Sequence, residues 1–88
     1  MPYFIAVYDI NVKRGSKMLK LFRRYLTWVQ NSVFEGEMTQ AQFQELQAQA
    51  KALMKNEEDS IIFYRLRDER YAERTSLGTE QGKRSRFI

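Results

Sequence analysis

The 88-residue chain has no cysteine and no histidine. The first absence rules out disulfides and thiolate metal sites. The second removes the commonest general base and the commonest zinc ligand. Ser–His–Asp, Cys–His and zinc-water hydrolysis are therefore excluded. Long apolar runs are missing too. The longest extends only from Tyr3 to Tyr8, far short of the roughly 20 residues a membrane helix needs. Nor does the start show a basic segment followed by a small-residue cleavage site. The expectation is a cytoplasmic protein with no membrane attachment. There is no internal repeat and no low-complexity stretch.

What is present is a globular composition, 43% hydrophobic and 14% aromatic, in a chain long enough for one small domain with a modest core. The formal net charge is +4, but its distribution says more. Residues 1–34 carry six cations and one acid, Asp9; residues 35–59 carry six acids and two lysines; residues 60–88 carry seven cations and four acids. Two basic ends around an acidic middle make a polarised surface of the kind that attracts polyanions.

Tyr3 to Tyr8 reads as a strand buried on both faces, ending at Asp9-Ile10-Asn11. Met18, Leu19, Phe22, Tyr25 and Leu26 recur at helical spacing. Trp28 to Glu35 reads as a second strand, with Gly36 at its end or in a bulge. Thr39 with Gln42 is a capping-box signature, and it opens a helix that presents Phe43, Leu46, Ala50, Leu53 and Met54 on one side. Asn56-Glu57-Glu58-Asp59 breaks that helix. Ser60 to Arg67 and Tyr71 to Leu77 are the last strands. The expected domain covers residues 1–78, with 79–88 as a tail or an exchanged strand. This order fits an α+β fold, a ferredoxin-like α/β sandwich with both helices on one face of the sheet. The other face would expose aromatic side chains unless a second copy covers it.

Asp9 is the sharpest chemical feature. It closes a strand and precedes the most basic helix, a place where a carboxylate can hold a hard cation; an Asx turn or helix cap is the structural alternative. One carboxylate does not make a magnesium site, but a two-fold dimer would supply a second. The helix carries Lys13, Arg14, Lys17, Lys20, Arg23 and Arg24 without a single acid, and charge alone nominates Lys13, Arg14, Lys17, Arg23 and Arg24 as phosphate contacts. Tyr3, Tyr8, Phe34, Phe63 and Tyr64 lie on strands, where base stacking competes with core or dimer packing. Packing is the simpler account, as it is for Trp28. The tail Lys83 to Ile88 joins three cations to two apolar residues, suiting a basic arm or a strand that adds to a neighbouring sheet edge.

Tyr8-Asp9-Ile10 after a strand, the basic helix, Gln30-Asn31-Ser32-Val33-Phe34-Glu35-Gly36 and the late Ile62-Phe63-Tyr64-Arg65-Leu66 strand together resemble the second CRISPR-associated protein, the small adaptation endoribonuclease. The likeness covers nearly the whole chain. It implies a ferredoxin-like homodimer in which the C-terminal strand crosses to the partner. It implies that Asp9 matches the metal-binding and catalytic aspartate facing its symmetry mate, with Tyr8 and Phe34 on motif positions near that site. The implied function is spacer acquisition. The homodimer would bind RNA or double-stranded DNA, cleave phosphodiesters with magnesium or another divalent cation, and scaffold the CRISPR adaptation integrase. A toxin-like mRNA interferase and a non-catalytic RNA-binding module are the other functions this small fold would suit.

Overall fold

Asn11 stops the first strand and starts the first helix in one step. Its side-chain oxygen accepts a hydrogen bond from the Lys13 amide at 2.9 Å, satisfying a donor that the first helical turn leaves free. A computed structural model describes residues 2–68 and 71–78. In chain order its elements are β1 (Tyr3–Asp9), α1 (Val12–Arg23), β2 (Thr27–Gln30), β3 (Val33–Glu37), α2 (Gln40–Leu53), β4 (Ser60–Asp68) and β5 (Tyr71–Gly78). The tail expected at residues 79–88 lies outside the described residues. The capping box forms as the sequence predicts: the Thr39 amide donates to Gln42 Oε1 at 2.9 Å and the Gln42 amide donates to Thr39 Oγ1 at 3.0 Å.

The strands form a single sheet in the order β2-β3-β1-β4-β5, every pair antiparallel. Each helix links two strands with a third lying between them, which is the ferredoxin-like arrangement; β5 extends the edge beside β4. The expected single strand from Trp28 to Glu35 is in fact a hairpin. Trp28 pairs with Phe34 and Gln30 with Val33, while Asn31 adopts a positive φ of 45°. Asn and Ser make turns without glycine, so this turn leaves no strong mark in the sequence.

Both helices pack on one face of the sheet. Phe4 and Ala6 of β1, Phe34 of β3, Ile61 and Phe63 of β4 and Leu77 of β5 meet Met18, Leu21 and Phe22 of α1 and Phe43, Leu46 and Ala50 of α2. The Phe22 ring stacks over Phe63 at 6.0 Å and lies 5.3 Å from Phe34, while Phe43 sits 4.5 Å from Phe4. Tight aromatic contact of this kind adds to the burial of the rings themselves.

The opposite face lacks helical cover, as two helices on one face predict, but β1 is not the strand buried on both faces that its apolar run suggests. Burial along β1 alternates, so this strand is covered on one side only. Tyr3, Ile5 and Val7 point away from the helices. Register sets them beside Leu66, Tyr64 and Ile62 of β4, and Val33 of β3 beside Val7. No described helix covers this apolar stripe.

Candidate functional site

Asp9 is the last residue of β1 and follows Tyr3, Ile5 and Val7 on the uncovered face. Its register partner is Ser60. The side chain is exposed, and among the described residues no hydrogen-bond donor or cation engages it. The helix cap that the sequence allowed for Asp9 is supplied by Asn11 instead, which leaves this carboxylate available.

Asp59, immediately before β4, is its opposite. Its side chain is fully buried. Oδ1 accepts from the Asn11 amide at 2.9 Å and from Arg14 Nη2 at 3.0 Å; Oδ2 accepts from Arg14 Nε at 2.7 Å and from the Lys55 amide at 2.9 Å. The Arg14 hydrogen bonds, helped by the two backbone amides and opposed by burial, hold its carboxyl down at about 2 against an ordinary 3.8. Arg14 also donates to Glu58 Oε1 at 2.8 Å, and Asn11 Nδ2 reaches the same oxygen at 3.3 Å. This cluster ties the β1–α1 loop, one residue beyond Asp9 and Ile10, to the α2–β4 connection. Gly78 completes the corner. Its φ is +87°, and a Cβ there would collide with the Asp59 carbonyl and with Met54.

Arg14 was expected among the phosphate contacts. The structure gives its donors to Asp59 and Glu58, and the guanidinium is held well above its usual pKa by those same bonds. Sequence reasoning missed the pair because the acidic run 56–59 reads as a helix breaker. The available signal was an acid run meeting a strand in a chain whose first helix has no acid of its own.

The remaining cations divide between two sides of α1. Lys17, Lys20 and Arg24 line a groove of about 410 Å³ against α2, floored by Leu21 and Leu53. Arg24 also donates to Gln49 Oε1 at 2.8 Å. Arg23 faces a second groove beside the hairpin. Lys13 is exposed near the helix start. All ride on the helix layer, whereas Asp9 belongs to the other side of the sheet. Tyr8 and Phe34, expected near Asp9, lie on the helix side. Phe34 is fully buried. Tyr8 packs 5.2 Å from Phe22 and 5.7 Å from Phe34, and its partial burial raises the phenol pKa. Their role here is to support the strand that presents Asp9.

Among the described residues there is no group of three or more acidic, histidine or cysteine side chains able to hold a metal. A single exposed carboxylate fits a hard divalent ion only as part of a larger oxygen set. A second copy packed on the open face would bring another Asp9, and phosphate oxygens would add more. No described helix is long and apolar enough to cross a membrane.

The topology and the lone carboxylate on an open sheet face define a small ferredoxin-like α+β protein with its candidate chemistry at a strand end. The family described as CRISPR associated protein Cas2 matches residues 1–74. The chain is 46% identical to the CRISPR-associated endoribonuclease Cas2 of Dictyoglomus turgidum over 98% of its own length and 99% of that protein. It is 43% identical to the protein of the same name from Methanosarcina acetivorans over the same shares. A solved structure titled as a crystal structure of Cas2 superposes with a TM-score of 0.73 at 40% identity, covering 91% of this chain and 90% of that one. Streptococcus pyogenes Cas2 superposes with a TM-score of 0.68 at 32% identity, covering 77% and 88%. The chain belongs to the Cas2 family.

Proposed function

We propose that the protein acts in CRISPR spacer acquisition as a homodimer that binds nucleic-acid backbone and carries a metal-dependent nuclease site at paired Asp9 carboxylates. One observation carries this reading: Asp9 and the uncovered apolar stripe Tyr3, Ile5, Val7, Ile62, Tyr64 and Leu66 share one face. The apolar surface favours a second copy, because exposed contiguous patches mark interaction sites. An isologous two-fold contact through that surface carries Asp9 of each chain into or beside the interface.

Paired Asp9 carboxylates would hold a magnesium ion, which would offer Lewis-acid polarisation of a phosphoryl oxygen and activation of a water. The chain's own residues set the stage. Asp9 contributes carboxylate oxygens. Asp59 and Arg14 hold the loop behind it in place. Lys13, Lys17, Arg23 and Arg24 neutralise phosphates on the helix layer. The chain has no histidine or cysteine, and the neighbouring Asp59 is kept ionised by Arg14 rather than ready to protonate a leaving group, so hydrolysis is slow and backbone binding is the stronger activity. That balance supports a scaffold role for the adaptation integrase alongside cleavage of RNA or duplex DNA.

The test compares wild type with Asp9→Asn. With magnesium, the wild type is expected to cleave single-stranded RNA or duplex DNA, chelation to stop it, and Asp9→Asn to lose cleavage while remaining a dimer by sedimentation. Cleavage at the wild-type rate by Asp9→Asn, or a monomeric wild type, would overturn the reading.

A further inference from the structure

Between α1 and the β2–β3 hairpin lies a groove of about 350 Å³, of whose lining only Arg23 has a part in the phosphate contacts above. Its α1 wall is Gly15, Leu19 and Arg23, spaced along one helical face. Trp28 and Asn31 of the hairpin form the other wall, and Tyr8 also lines the groove. The indole is fixed by donating from Nε1 to the Asn31 carbonyl at 2.8 Å, yet Trp28 remains 49% exposed. An immobilised, half-exposed tryptophan has already lost the freedom that ligand binding would otherwise remove.

From this geometry we infer that the groove is a stacking site for one unpaired nucleobase of a single-stranded nucleic acid, with the adjoining phosphate met by Arg23. The inference rests on the nucleic-acid reading above and adds a separate site for one base of the strand. Three observations favour a base. Two aromatic side chains line the groove, and every base has a face that stacks on such rings. Arg23 is exposed at the groove, and among the described lining residues there is no carboxylate to neutralise it or repel a phosphate. The volume falls in the range of small-molecule sites, about 300–1,000 Å³. Gly15 supplies a fourth argument. A glycine within a helix weakens it relative to alanine, but a Cβ at this position would meet no atom within 4 Å. The small residue therefore keeps space open rather than relieving a clash. The groove lies on the helix side of the sheet, so a dimer through the open face leaves it accessible.

Trp28 is the chain's single tryptophan, so its emission reports on this groove alone. The experiment titrates the full chain with octauridylate, with an abasic ribose-phosphate strand of the same length and with a blunt-ended DNA duplex, following Trp28 emission and, separately, the anisotropy of labelled strands. Saturable quenching by octauridylate, with little by the abasic strand or the duplex, supports the site. Gly15→Leu should then weaken octauridylate binding about tenfold and leave duplex binding unchanged, whereas Gly15→Ala retains both. Trp28→Ala, read by anisotropy, should reproduce the tenfold loss. Octauridylate binding with unchanged Trp28 emission, or Gly15→Leu binding like wild type, overturns the inference and leaves the nucleic-acid reading intact. Emission that responds only to an added protein overturns it in favour of protein docking. Failure of every strand to bind at low salt removes both readings together.

Discussion

Asp9 and Asp59 stand at the same end of two paired strands, one closing β1 and the other preceding β4, and they have opposite fates. Asp59 is buried and accepts four hydrogen bonds from Arg14, Asn11 and Lys55. Asp9 is exposed, on the face that lacks helices, and no described donor engages it. One carboxylate is consumed by the fold and the other is spared by it. The first fixes the loop that presents the second, so of two residues of the same type one is spent on the fold and the other is left unengaged.

The comparison breaks most severely at Asp59. Asp59→Ala leaves Arg14 partly buried without its partner and should cost about 3–5 kcal/mol in denaturant unfolding; Arg14→Ala should fall in the same range. Asp9→Ala should stay within about 0.5 kcal/mol of wild type, as an exposed and unbonded side chain. Equal losses at Asp9 and Asp59 would erase the distinction.

Acid provides a second way to separate them. The Asp59 carboxyl is depressed from 3.8 to about 2 in the folded chain. Its contribution, about 2 kcal/mol, is therefore fully present above the unfolded value and is lost as pH falls from about 4 through 2. Unfolding followed across that window should show the loss in wild type and a flattened profile in Asp59→Asn. An unchanged profile would mean that another group governs acid stability.

Gly78 sharpens the picture from the far side of the same corner. With φ at +87° and the Asp59 carbonyl where a Cβ would sit, Gly78→Ala should cost about 1–3 kcal/mol by thermal or chemical melting. Lys17→Ala should produce the smallest change in stability. Its effect belongs instead to nucleic-acid affinity, where the slope against salt should fall by about one. Arg14→Ala should show the reverse pattern, a large loss of stability with little specific change in that slope.

Much of this was legible in the chain. The spacing of Met18, Leu19 and Phe22 marked α1, Thr39 and Gln42 marked the start of α2, and the position of Asp9 after a strand marked the candidate site. Three things were hidden for physical reasons. The hairpin turn at Asn31-Ser32 uses neither glycine nor proline, so the run through it reads as continuous strand. The Arg14–Asp59 pair joins residues 45 positions apart, and no local pattern shows which cation an acid run will capture. β1 is apolar at both parities, a pattern identical whether its second face meets a helix or another protein. The apolar run alone therefore reads as a strand buried on both faces, whereas β1 is covered on one side.

The account turns on whether two Asp9 side chains share one ion across a two-fold axis. Calorimetric titration of the full chain with manganese, paired with sedimentation of the same samples, measures this directly. The expected result is one ion for every two chains in wild type and none in an Asp9→Asn protein that still sediments as a dimer. One ion per chain, or undiminished binding by Asp9→Asn, would contradict it.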